Sequence, residues 1–157
     1  MQRCSRCIYP TSKPDLAFVN GVCSACLAFD ARARVDWSAR RAQLVGLLAR
    51  HGNRCIVPVS GGKDSTYQVL RLQRDFGAEV LMVNAATDYL TPLGQQNLDN
   101  LKRFGDLIEV TPSVEVRKSL CRIGLNEVGD LSWPEHNLIW TVPFRVALQT
   151  GHSLIVY

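Results

Sequence analysis

A short apolar run, Cys55-Ile-Val-Pro-Val59, passes into Ser60-Gly61-Gly62-Lys63-Asp64-Ser65, and a helical pattern begins inside that turn. A strand that runs through paired glycines straight into a helix is the opening half of a βαβ unit. The alternation continues downstream. A helix is expected at about 63–75, closed by Gly77, and Glu79 to Val83 reads as a second strand. A helix at about 92–104 carries Pro92 in its first turn, and Leu107 to Val110 reads as a third strand. A helix at about 113–127 sets Val114, Cys121, Leu125 and Val128 on one face. A polar loop, Trp133-Pro-Glu-His136, then leads to an apolar helix at about 137–149, kinked at Pro143, and Ser153 to Tyr157 reads as a fourth strand. Upstream, a helix at about 36–50 has Asp36 or Ser38 near its cap and is stopped by Gly52. Pro58 predicts that the first strand ends there, since proline cannot serve a central ladder. Short apolar strands alternating with helices pair in parallel. The expected fold class is therefore α/β, a doubly wound, mostly parallel sheet, with its ligand beyond the carboxyl ends of the strands.

The first 26 residues follow other rules. Cys4, Cys7, Cys23 and Cys26 form two Cys-x-x-Cys hooks separated by fifteen residues. Two such hooks bring four thiolates to the corners of a tetrahedron, which Zn²⁺ closes as a structural site. A segment of about 30 residues has too little core to fold alone, so metal binding would supply its folding energy. An iron–sulfur cluster or a redox pair are the alternatives. The other two cysteines, Cys55 and Cys121, read as buried, inert thiols. The expected organisation is a four-cysteine module at 1–30, a linking helix at 31–53 and an α/β domain at 54–157.

The turn at 60–65 has the chemistry of an anion cradle. Gly61 and Gly62 let the backbone approach an anion, and the start of the following helix aims N–H groups at it. Ser60 and Ser65 add hydroxyls, and Lys63 neutralises charge. Asp64 would repel a phosphate unless Mg²⁺ lies between them. Neither G-x-x-x-x-G-K-[ST] nor G-x-G-x-x-G is present, so a Walker loop and a dinucleotide fold are disfavoured.

The Ser60–Ser65 pattern in this setting resembles the pyrophosphate loop of the PP-loop ATP pyrophosphatases. Cys4-Ser-Arg-Cys7, Cys23-Ser-Ala-Cys26, Ile56-Val-Pro-Val-Ser-Gly-Gly-Lys-Asp-Ser65 with Thr66-Tyr67-Gln68, and Ser132-Trp-Pro-Glu-His136 together resemble the N-acetyl sugar amidotransferases of that superfamily. The resemblance implies ATP cleaved to AMP and pyrophosphate with Mg²⁺. It implies adenylation of a sugar acetamido oxygen and attack by ammonia from a separate glutaminase, in surface-polysaccharide biosynthesis. Lys63 and Asp64 would be catalytic, and Ser60, Gly61, Gly62, Lys63, Asp64 and Ser65 would hold the nucleotide. The substrate implied is an acetamido sugar, nucleotide-linked or acidic. Members of that family are longer, so the resemblance also implies further sequence that completes the sheet and the sugar site. A PP-loop enzyme that modifies tRNA and a non-catalytic ATP-binding subunit are the other readings.

Net charge is +4, with 18 Lys and Arg against 14 Asp and Glu. That balance fits ordinary solubility, with a phosphate-bearing partner as the sharper reading. No dense Lys/Arg block marks a nucleic-acid arm. The apolar runs are far shorter than the roughly 20 residues of a membrane span, and no apolar segment follows Met1-Gln2-Arg3, so a cytoplasmic location is expected. The sequence is compatible with a homo-oligomer. Asn84, Thr87 and Asp88 follow the second strand, either as turn residues or near the nucleotide. Trp133, Glu135 and His136 read as a packing corner or as substrate contacts. Arg117, Lys118 and Arg122 read as a solvated helix face or as groups that receive a sugar's nucleotide or carboxylate.

Overall fold

The structure, a computed structural model, describes residues 2–86 and 90–157; Thr87 and Asp88 fall outside the described residues. The chain divides into two compact units, Met1–Gln43 and Leu44–Tyr157.

The first unit is built on a small antiparallel hairpin, β1 (Phe18–Val19) and β2 (Val22–Cys23). Asn20 and Gly21 both take positive φ, 49° and 78°, as a two-residue turn that follows strand twist requires. α1 (Ser24–Ala31) follows directly, then a single 3₁₀ turn at Arg32–Arg34. α2 (Trp37–Arg50) starts in this unit, where the Asp36 carboxylate accepts from the Ala39 N–H at 2.9 Å, an N-cap as expected.

The second unit is α/β. Its sheet has three parallel strands in the order β3 (Arg54–Pro58), β4 (Glu79–Ala85), β5 (Leu107–Val110). α3 (Lys63–Phe76) joins β3 to β4, and α4 (Pro92–Leu101) joins β4 to β5. α5 (Val114–Ile123) and α6 (Trp133–Thr150) follow. Strand alternation sorts the core onto two faces. Cys55, Val57, Val80 and Met82 pack with Leu48 of α2, Val69 and Leu72 of α3, and Leu98 and Leu101 of α4. Ile56 and Val83, on the opposite face, pack with Val142, Val146 and Ala147 of α6. Helices therefore cover both faces, and β3 stops at Pro58.

Three local expectations are corrected, and one helix was not expected. The fourth strand is reduced to one parallel bridge, Ile155 to Ile56, carried by Ile56 N–H to Leu154 O and Val156 N–H to Ile56 O, both 2.9 Å. It still lies beside β3 on the side away from β4. The helix at 113–127 ends at Ile123 and continues as one wide π turn, Gly124–Val128. A Cβ at Gly124 would stand 2.6 Å from the Asp130 carbonyl oxygen, so the chain can fold back there only through glycine. Trp133-Pro-Glu-His136 is the first turn of α6, not a loop: Pro134 sits where a helix tolerates its missing N–H. α1 had no forecast, since its eight residues lack a clear apolar stripe.

Candidate functional site

Two places gather chemistry. In the first unit the Sγ atoms of Cys4, Cys7, Cys23 and Cys26 all lie within 4.8 Å of one another. Cys4 and Cys26 are 3.9 Å apart, and Cys7 and Cys23 are 3.6 Å apart. A tetrahedron with Zn–S bonds of about 2.3 Å has edges of about 3.8 Å, so the cluster fits that ion. The backbone N–H groups of Cys23 and Arg6 donate to the Cys4 sulfur at 3.3 and 3.4 Å. These bonds favour thiolate, and the Cys4 pKa falls to about 6, with the Cys23 N–H as the main cause. Burial, with hydrogen bonds to the neighbouring cysteines, pushes Cys26 up to about 12. Four converging sulfurs, at least one held as thiolate, could hold a structural metal such as zinc and leave it no open position. The hairpin and α1 make this possible: the tight turn at Asn20-Gly21 returns the chain so that the second hook, at the β2–α1 junction, faces the first.

In the second unit a cavity of about 610 Å³ opens beyond the carboxyl ends of all three strands. Val59 and Ser60 close it from β3, Asn84 and Ala85 from β4, and Thr111 from just beyond β5. Ile139 and Pro143 of α6 and the ring of Tyr157 form another wall. β4 and β5 follow on one side of β3, and the 155 segment returns to its other side, so the direction of winding reverses at β3. Such a switch point is where open α/β sheets take ligands.

Of the six residues expected to hold a nucleotide, Ser60 lines the cavity and Gly61, Gly62, Lys63, Asp64 and Ser65, which follow it, do not. Gly61 has φ +74°, and a Cβ there would stand 3.1 Å from the Gly94 carbonyl oxygen and the Leu98 nitrogen of α4. Glycine is required twice over, by backbone angle and by contact with α4. Gly62 is the N-cap of α3 and provides no side chain to satisfy the helix's first N–H groups. The Ser65 and Thr66 hydroxyls turn back to the Gly62 carbonyl, at 3.3 and 2.8 Å. Lys63 Nζ and Asp64 Oδ1 pair at 2.7 Å, both highly exposed. So the start of α3 presents open N–H groups, one cation and one carboxylate together. Inside the cavity, Asn84 is 5% exposed; its Nδ2 donates to the Val59 carbonyl at 2.7 Å, and its Oδ1 has no partner.

The remaining candidates lie outside the cavity lining. Arg117 is buried, with Nε 3.6 Å from Glu135 Oε1, and does not belong to a solvated face. Lys118 pairs with Glu115 one turn away. Asp130 accepts from the hydroxyl and N–H of Ser132, which hold its carboxyl below the usual range, and His136 Nδ1 lies 3.4 Å from it. Glu135 thus joins the start of α6 to α5, His136 faces Asp130 in the segment before α6, and neither they nor Trp133 line the cavity. Cys55 is fully buried, and burial pushes its thiol up to about 11. Ile139, Pro143 and Tyr157 were not foreseen as cavity wall, because helix periodicity gives a buried face but not what that face encloses.

No protein-family model matches the chain, and no curated protein matches it. No described helix is long and apolar enough to cross a membrane.

Proposed function

We propose that the α/β unit binds ATP at the carboxyl ends of its strands and activates an acceptor by AMP transfer. The observation that carries this reading is the cavity at the switch point, lined by Ser60, the first residue of the glycine turn that leads into the uncapped start of α3. Its volume suits a small-molecule ligand. Open N–H groups at a helix start, beside a lysine, suit phosphate oxygens. The Asp64 carboxylate beside them suits a divalent cation, which would offset charge on departing pyrophosphate. Among the described residues the four cysteines take no part in this chemistry, since four thiolates saturate a zinc ion.

The acceptor follows from the resemblance to the N-acetyl sugar amidotransferases. An amide oxygen is a poor leaving group. Its attack on the α-phosphorus releases pyrophosphate and leaves the carbonyl carbon bonded to a good leaving group. Ammonia, from a partner glutaminase, then attacks that carbon, and AMP departs with the oxygen, giving an acetamidino sugar. Lys63 and the N–H groups from Gly61 to Ser65 stabilise charge on the leaving group. The apolar wall formed by Val83, Ile139 and Pro143 limits water, which would otherwise return the activated group to the amide.

The test supplies ATP, Mg²⁺, an ammonium salt and a panel of acetamido sugar acids, and identifies the nucleotide products. AMP and pyrophosphate dependent on a sugar, lost by at least about a hundredfold in Asp64→Ala, are expected. ADP as product, or full turnover in Asp64→Ala, overturns the mechanism. AMP formed with tRNA alone would keep the mechanism and replace the acceptor.

A further inference from the structure

Charge is divided unevenly between the two units. Residues 1–43 hold seven Lys and Arg against three Asp and Glu, a net of +4. Residues 44–157 hold eleven of each, a net of zero. The whole net charge of the chain is carried by about a quarter of its length. Spread over 157 residues, +4 means only solubility; on 43 residues it makes a strong field close to the surface. All seven cationic residues, Arg3, Arg6, Lys13, Arg32, Arg34, Arg40 and Arg41, are exposed. Of the three acids, Asp30 is taken by Arg6 and Asp36 caps α2, so only Asp15 adds a further acid to this surface.

The same unit exposes aromatic rings. Phe29 and Trp37 are each 63% exposed and Tyr9 is 41% exposed. They are not core residues, because the metal cluster replaces a core here. The Arg32 guanidinium lies 4.1 Å from the centre of the Phe29 ring, and Lys13 lies 5.8 Å from that of Tyr9. Six of the seven cations are arginine. Arginine binds phosphate through a planar fork and stacks on flat π faces, whereas an anionic lipid surface is served equally by lysine. Exposed rings set among arginines are what an unpaired nucleic-acid strand binds: bases stack on rings while guanidinium groups meet the phosphates.

We infer that the four-cysteine unit is a binding surface for single-stranded RNA. The inference is independent of the AMP-forming reading, since it uses no residue of the α/β unit. The metal holds the scaffold, Phe29 and Trp37 serve as stacking platforms, and Arg32, Arg34 and Arg40 meet the backbone.

The test is fluorescence anisotropy of the full, zinc-loaded chain with a labelled single-stranded RNA of roughly 20 nucleotides, from about 50 to about 200 mM salt. With about four phosphate contacts the plot of log affinity against log salt should have a slope of about −3. Arg32→Glu/Arg34→Glu/Arg40→Glu should weaken binding by at least about tenfold and flatten that slope. Trp37→Ala should weaken binding several-fold and leave the slope unchanged, because stacking is uncharged. Zinc content reports whether each variant keeps its fold; if the triple variant loses zinc, Arg34→Glu and Arg40→Glu alone carry the test. No binding at the lowest salt, or unchanged affinity in zinc-bound charge variants, overturns the inference. Binding to phosphatidylglycerol vesicles with none to RNA also overturns it, and assigns the surface to lipid.

Discussion

The two units become ordered by different means. Among the described residues, the only buried apolar side chains of the first unit are Cys4 and Cys23, two of the four clustered thiols. The second unit buries a two-sided core, from Leu48 and Met82 on one face of the sheet to Ile56 and Val142 on the other. The first unit leaves Ile8, Val19, Phe29 and Trp37 in solvent, because their burial is not needed to hold the chain. What differs is where the folding energy is concentrated: in four sulfur atoms, or across a packed sheet. A metal-held unit can expose its larger side chains for recognition. A core-held unit can expose only what its sheet leaves over, which here is the cavity at the strand ends.

The largest expected effect follows directly. Removing the metal with a strong chelator, or replacing Cys26 with serine, should unfold the first unit completely. Structural zinc in small modules contributes about 10–16 kcal/mol of apparent binding energy, far more than 43 residues gain otherwise. Amide resonances of residues 2–35 should collapse to unfolded positions, while the amides of β3 and β4 keep their protection from hydrogen exchange. A first unit that stays folded without metal would break the comparison. A second unit that melts along with it would show that the two are not separate in stability.

A smaller effect tests the other half. Ile56 is fully buried between β4 and α6, so Ile56→Ala should cost about 2–5 kcal/mol by urea denaturation, through lost transfer energy and the void left behind. The stoichiometry of bound zinc should not change. A cost below about 1 kcal/mol would mean that α6 closes the void and that this face is less tightly packed than its burial indicates.

How much of this was legible in the sequence follows the same division. The elements β3, α3, β4 and β5 were readable within a residue or two, because each joins a period to a punctuation mark: Pro58 ends a strand, and Gly77 closes α3 with φ +60°. The four cysteines were readable as a cluster from spacing alone, and their sulfurs do converge. What was misread depends on partners distant in sequence. Trp133-Pro-Glu-His136 looked polar and broken, but Pro134 fits a first helical turn, and Glu135 sits beside Arg117 of another helix. Arg117 looked like surface for the same reason, since a buried ion pair shows no apolar period. The segment at 153–157 has strand composition, yet only Ile155 pairs, with one neighbour, Ile56. The charge of the first unit was hidden by averaging over the whole chain. The sequence pointed to the strand ends as the place for a ligand, and a cavity lies there, but its far wall could not be read, because Ile139 and Tyr157 meet there only once α6 has folded back.

The finest test lies on that wall. Pro143 is fully buried inside α6 and has no N–H, so the carbonyl of Ile139, one turn earlier, has lost its helical partner. The Tyr157 hydroxyl donates to that carbonyl at 3.3 Å, while its ring lies 4.3 Å from that of Trp140. Tyr157→Phe removes the hydroxyl and keeps the ring contact, so it isolates the hydrogen bond. The bond is long and Ile139 is 40% exposed, so water can take the hydroxyl's place, and the cost should be near the lower end of about 0.5–1.5 kcal/mol. Burial also raises the Tyr157 pKa above 10. The neutral phenol is therefore the form the folded state prefers. Its contribution should be full below pH 10 and fade as pH rises through the folded pKa. Urea midpoints of the native chain and Tyr157→Phe, measured at neutral pH and again above that pKa, should favour the native chain at the first and lose or reverse that advantage at the second, where a phenolate cannot donate and its oxygen faces a carbonyl oxygen. An advantage that persists at high pH would mean that the hydroxyl acts on α6 by some route other than donating to Ile139.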